Sequence, residues 1–158
     1  MTFTDEDIPA IYESELRPLF ERHWAEQDSH LGAFALDEGT YRALYGRGLL
    51  KLYTVRISGA IVAYALFLVT NGAHQAHKRV ACSDALWVAP EARVDHPFAA
   101  LALLRGCESA LQALGVDQIK ITGKTSHPAL LEFLTALGYA HEGFCCQKNF
   151  GGPDGNRA

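Results

Sequence analysis

The sequence predicts a single domain of α/β (α+β) class. Three observations lead there. The chain has 158 residues, 49% of them hydrophobic, which is enough for one core and little room for a second domain. The apolar period shifts from helical spacing to alternation near Leu50, and back to helical spacing near Phe98. The elements then read in the order α, α, β, β, β, α, β, α, β. The domain is expected to span 1–150, and the Gly-Gly-Pro-Asp-Gly-Asn run within 151–158 is expected to be a flexible tail.

A first helix is expected from about Ile8 to Gln27, because Ile8, Ile11, Tyr12, Leu16, Leu19, Phe20, His23 and Trp24 recur at helical spacing. Thr4 and Asp7 resemble a capping box, and Pro9 suits a first turn. Pro18 falls inside the pattern, where a proline costs about 3 kcal/mol, so the segment is expected to be kinked or in two pieces. A short helix follows from Asp37 to Tyr45, ended by Gly46 and Gly48.

Leu50 to Ile57 alternates as a strand. Ser58-Gly59 is a hairpin turn, and Ala60 to Thr70 is an apolar strand. Asn71 to Lys78 reads as a polar loop. Arg79 to Val88 reads as a third strand, with Val80, Cys82, Asp84, Leu86 and Val88 on one face and Ala81, Ser83, Ala85 and Trp87 on the other. Pro90 ends it. A helix from about Phe98 to Leu114 carries the stripe Ala100, Leu103, Leu104, Cys107, Leu111 and Leu114. Val116 to Thr122 is a short strand. Ser126 or His127 caps a further helix that ends at Gly138, and Tyr139 to Phe150 is the last strand region.

Charge and composition exclude several classes. The formal net charge is −4 with scattered Lys and Arg, which gives no grip for nucleic acid. No run approaches the roughly 20 apolar residues of a membrane span. The acidic N-terminus is unlike a signal peptide, so a cytoplasmic location is expected. Cys82, Cys107, Cys145 and Cys146 have no metal-ligand spacing and read as reduced thiols. His74 and His77 lie in a loop and read as surface histidines, so no metal site is expected.

The segment Leu86-Trp87-Val88-Ala89-Pro90-Glu91-Ala92-Arg93 resembles the strand exit Val-x-Pro-Glu-x-Arg of the GNAT acetyltransferases. Leu103-Leu104, Glu108 and Leu114-Gly115-Val116 resemble that family's central helix and its exit. Leu137-Gly138-Tyr139 matches its Leu-Gly-Phe/Tyr, and Lys148 near the chain's last strand is also familiar. The match covers most of the chain from Leu50 onward. It is especially similar to small GNAT-like proteins of bacteriophage genomes, which carry a His-Trp pair in the first helix, here His23-Trp24, and an Asp in the third strand, here Asp84. The resemblance implies a mixed, mostly antiparallel central sheet flanked by helices on both faces. It also implies acetyl transfer from acetyl-CoA to an amine, with the cofactor along the segment from Ala81 to Arg93.

Residue by residue, the resemblance places the cofactor against Leu86, Trp87, Val88, Arg93, Ala99, Ala100 and Lys124. It makes Asp84 the general base and puts His23 and Trp24 in the acceptor pocket. Pyrophosphate needs backbone N–H donors at a helix start, with glycines allowing close approach. The family's loop reads Gln/Arg-x-x-Gly-x-Gly/Ala. Here it reads Arg93-Val94-Asp95-His96-Pro97-Phe98-Ala99-Ala100, about two residues longer and without its glycines. Leu134 stands where many members carry a Tyr as general acid. Direct transfer requires no nucleophilic Ser or Cys.

Each of these residues also has a structural reading. Asp84 lies in an otherwise apolar strand and, if buried, needs a partner such as a backbone N–H or a histidine. His23 and Trp24 could be core, Lys124 solvated, and His127 only a cap. Two function classes stay open: an N-acyltransferase acting on a small-molecule or protein amine, and a catalytically inactive GNAT-fold interaction protein, which the degenerate loop favours. A strand-edge homodimer is compatible with either.

Overall fold

The computed structural model describes residues 1–28, 30, 32–72, 75–123 and 128–143. The chain order is β1 (Thr2–Asp5), α1 (Ile8–Ile11), a π-helical turn (Tyr12–Leu16), α2 (Arg17–Gln27), α3 (Glu38–Gly46), β2 (Leu50–Ile57), β3 (Ala60–Gly72), β4 (Gln75–Val88), α4 (Pro90–Asp95), α5 (Ala99–Ala113), β5 (Gln118–Lys120) and α6 (Pro128–Ala136). The strands form one sheet in the order β1-β2-β3-β4-β5. Every pair is antiparallel except the parallel β4–β5 pair. This is the mixed, mostly antiparallel sheet that the resemblance implied.

Alternation along β2 and β3 sorts the core into two layers. Leu50, Leu52, Tyr64 and Leu66 meet Ile8, Leu16, Leu19 and Phe20 of the N-terminal helices. Tyr53, Val55, Ala65, Phe67 and Val69 meet Leu103, Cys107 and Leu111 of α5. Because β3 is covered on both faces, it reads as a continuous apolar run. Ser58 (φ 51°) and Gly59 (φ 88°) both sit at positive φ, as a two-residue turn matching strand twist requires.

The structure corrects several local expectations. Residues 2–5 form an unexpected edge strand, with Thr4 opposite Thr54 and no capping role. Four residues with one apolar side chain towards α5 leave no periodic signal. Phe3 lies so close to α5 that a Cβ on Gly106 would fall 2.1 Å from its ring. Asp7 precedes α1 without capping it through its side chain, and accepts instead from the Tyr45 hydroxyl at 2.7 Å.

The expected long helix is broken as Pro18 requires. The Arg17 N–H reaches back to the Tyr12 carbonyl, five residues away, and this wide turn seats Pro18 in the first turn of α2. Glu6 and Glu15 then clasp Arg56 at 2.7 and 2.6 Å, and Thr54 donates to Glu6 at 2.6 Å.

The polar segment 71–78 is largely strand. β3 runs to Gly72 and β4 starts at Gln75, because antiparallel neighbours satisfy each other's backbone whatever their side chains. The strand exit folds into the unexpected α4, with Pro90 in its first turn and Ala92 buried. β5 is shorter than expected, residues 139–143 form no strand, and 144–150 of the expected last strand region lie outside the described residues. Ser126, His127, Cys145, Cys146, Lys148 and the tail 151–158 lie outside the described residues, as do Lys124 and His74. Cys82 is exposed and Cys107 buried, so only the second is a core thiol. No helix among the described residues is long and apolar enough to cross a membrane.

Candidate active site

The site begins with a register shift. Leu66 pairs with Ala85 and Phe67 with Ser83, so one step on β3 spans two on β4 and Asp84 is the extra residue. Strict alternation along β4 therefore fails at Asp84. Before the bulge Ala81 faces α5, whereas after it Ala85 and Trp87 face the N-terminal helices. Asp84 opens into a pocket of about 220 Å³ on that helical face, lined also by Phe20, His23, Trp24, Tyr41 and Tyr64.

Asp84 is exposed to this pocket, not buried. Its Oδ2 accepts the Tyr41 hydroxyl at 2.5 Å. Burial pushes the Tyr41 phenol up, and the Asp84 carboxylate pushes it further, so the hydroxyl keeps its proton and stays a donor. Tyr64 is also pushed up, by burial first and then by Tyr41 and Asp84. Its hydroxyl lies 2.6 Å from His23 Nδ1. Trp24 forms part of the wall, donating its indole N–H to the Gly32 carbonyl at 2.9 Å and meeting Phe34 edge-on. Phe20, Tyr41 and Leu66 line both this pocket and a second one of about 350 Å³ beside the π turn.

β4 is fully paired with β3 towards Val88, but β5 covers it only at Val80–Cys82. Beyond Cys82 the two parallel strands separate, and Ser83 holds the parting chain by accepting the Thr122 N–H on its Oγ at 3.0 Å. Ala89 donates its N–H to Val62 on the β3 side at 2.8 Å. Alternation therefore turns the backbone groups of Leu86 and Val88 to the open side. The Val88 carbonyl there accepts Arg93 Nε at 2.9 Å. Among the described residues, nothing pairs with the Leu86 N–H and C=O or the Val88 N–H along this edge.

Trp87 points the other way. It is buried and donates to Glu26 at 2.8 Å, and Glu26 pairs with Arg93 at 2.6 Å. Burial alone would raise the Glu26 carboxyl, but its bonds to Arg93 and Trp87 outweigh that and hold it low. Arg22 lies over the Trp87 ring and bonds Glu91 at 3.0 Å. Trp87, Glu26, Arg93 and Val88 thus fasten the strand exit to α2. At the start of α5, Ala99 is buried and its N–H is taken by the His96 carbonyl at 2.8 Å. The Ala102 N–H bonds the Phe98 carbonyl at 2.9 Å, so Phe98, Ala100 and Leu101 are the amides left among the described residues at this helix start.

The sequence singled out Asp84, His23 and Trp24, and all three line one pocket. It did not single out Tyr41, Tyr64 or Glu26. Tyr41 read as one residue of a short helix and Tyr64 as one of a buried run; only the bulge brings Asp84 to them.

No protein-family model and no curated protein matches the sequence. Solved structures do match across nearly the whole chain. An aminoglycoside acetyltransferase, meta-AAC0020, from an uncultured soil metagenomic sample superposes with a TM-score of 0.73 at 14% identity, covering 95% of each chain. A ribosomal-protein-alanine N-acetyltransferase from Brucella melitensis biovar Abortus 2308 has a TM-score of 0.69 at 13% identity, covering 95% of this chain and all (100%) of that one. The chain has the GNAT fold. A transcriptional regulator from Bacillus halodurans C-125 shares it as well, with a TM-score of 0.76 at 13% identity over 94% of this chain and 99% of that one. At these identities the likeness concerns the GNAT fold, and the chemistry must be argued from the site.

Proposed function

We propose that this GNAT-fold protein is an N-acyltransferase that moves the acetyl group of acetyl-CoA to the amine of a small molecule or protein. The observation that carries this reading is the bulge at Asp84, which turns a carboxylate into a pocket beside an edge of β4 that no described residue pairs beyond Cys82. When bound, acetyl-CoA supplies a thioester carbonyl carbon as the electrophile. The Leu86 and Val88 backbone groups suit an extended amide-bearing arm, which would lie on them as a further strand does. The pocket holds the acceptor. Its nitrogen bonds to the carbonyl carbon, the C–S bond breaks with the electron pair leaving on sulfur, and the nitrogen sheds its proton to Asp84. Tyr41, which keeps its own proton, fixes the carboxylate in place. His23 and Trp24 shape the acceptor wall, with Tyr64 bracing His23.

Leu134 offers no proton to the leaving thiolate, so water is its proton source in this scheme. Among the described residues, the loop before α5 fits pyrophosphate poorly, and no step above depends on it.

A thermal-shift titration with acetyl-CoA, followed by a thiol-release assay over a panel of amines, tests the reading. At about 100 times its Kd the donor stabilises the fold by roughly 2.7 kcal/mol. No shift at millimolar acetyl-CoA overturns the enzyme and favours the second reading, a non-catalytic interaction protein. That second reading draws on the spent donors of the loop and on exposed Val94 and Phe98 within it.

A further inference from the structure

The strand exit and the start of α5 differ in what they offer a thioester donor. Among the described residues, the edge of β4 beyond Cys82 presents the Leu86 N–H and C=O and the Val88 N–H, a surface for the amides of a pantetheine arm. The next segment, where the nucleotide end of coenzyme A would follow, presents little to a phosphate. Pro97 has no N–H and the Ala99 N–H is spent on His96, which leaves only the Phe98, Ala100 and Leu101 amides among the described residues at the start of α5. The Arg93 guanidinium is held by the Val88 carbonyl and the Glu26 carboxylate. Glu91 is paired with Arg22 and Arg93 with Glu26, so Asp95 adds an excess negative charge to this stretch, which disfavours a polyanion. Val94 (80% exposed) and Phe98 (69% exposed) put apolar surface in the same stretch.

We infer that the protein recognises its acyl donor through the pantetheine arm alone, and that its donor class is the acyl thioester of a pantetheine-like thiol, with or without a nucleotide attached. This rests on the acyltransferase reading above and narrows it. A nucleotide-gripping site gains affinity from phosphate contacts made by helix-start amides and cations. Here Arg22 and Arg93, the cations described at the strand exit, are each paired with a carboxylate, so a nucleotide, where present, meets a few backbone amides and, among the described residues there, no free cation.

The test is isothermal titration of the full chain with acetyl-CoA, S-acetylpantetheine and adenosine 3′,5′-bisphosphate. The expected result is that the two thioesters bind with Kd values within about threefold of each other and that the bisphosphate gives no binding heat at millimolar concentration. Acetyl-CoA binding also stays within about twofold between low and moderate salt, since no phosphate is gripped. A preference for acetyl-CoA above about thirtyfold, equivalent to about 2 kcal/mol, overturns this inference and leaves the acyltransferase reading standing. Failure of both thioesters to bind overturns that reading as well. Arg93→Gln, checked for folding by circular dichroism, supplies a second arm. It is expected to change both thioester affinities by the same factor, and a loss confined to acetyl-CoA overturns the inference by placing Arg93 on a phosphate.

Discussion

Replacing Asp84 by Asn separates a catalytic carboxylate from a structural one. The Tyr41 hydroxyl donates to Asp84 Oδ2 at 2.5 Å, and an Asn side-chain oxygen in the same place accepts the same hydrogen bond. The structural cost is therefore the difference between a bond to a charged group, about 1.5–3 kcal/mol, and a neutral one, about 0.5–1.5 kcal/mol. Asp84 is exposed to the pocket, so about 1 kcal/mol is an upper figure, a fall in Tm of about 2–4 °C for a chain of this size. A general base contributes about 10²- to 10⁴-fold, so its loss raises the barrier by about 2.7–5.5 kcal/mol. The catalytic effect thus exceeds the structural one severalfold. Steady-state thiol release beside a melting curve reads both. Retained folding with turnover within about threefold of wild type would show that Asp84 is not the base. Tyr41→Phe serves as control: it removes the positioning donor, keeps the carboxylate, and lowers kcat about tenfold with little change in KM. Because burial and Asp84 hold the Tyr41 proton, the phenol contributes no alkaline limb to the pH profile.

Three further outcomes follow from the packing. Gly106→Ala should destabilise the protein although alanine is the better helix former by about 1 kcal/mol, because its Cβ would meet the Phe3 ring at 2.1 Å; a higher Tm in denaturation would refute that contact. Burial raises the Glu6 carboxyl, but Arg56 and Thr54 outweigh it and hold it below its ordinary value of 4.5, so its stabilisation is complete above that value and fades as pH falls through the lowered pKa. Glu6→Gln should therefore flatten the acid limb of a stability-versus-pH curve, and an unchanged limb would argue against the pairing. Cys82 should label rapidly with a thiol reagent in the folded protein, whereas Cys107, buried and with its thiol pushed up chiefly by that burial, should label only on unfolding; peptide mapping distinguishes them.

What the sequence determined by itself is the periodicity and its punctuation. Leu50–Ile57 and Ala60 onward read as a hairpin because alternation and Ser58-Gly59 are local signals. The stripe of Leu103, Leu104, Cys107 and Leu111 read as a core helix for the same reason. The strand exit from Leu86 to Arg93 carried the resemblance to the GNAT fold, because one turn around Pro90 fixes it. Tertiary structure decided what depends on a distant partner. β1 exists because Arg56, Val55, Thr54 and Tyr53 offer their backbone to it. The π turn exists because Pro18 must be seated while Leu16 stays in the core. The site was legible as a set of residues, Asp84, His23 and Trp24, but not as a geometry. One inserted residue in β4 reverses which side chains share a face, and a bulge is specified by the register of two strands, which no single strand's sequence records.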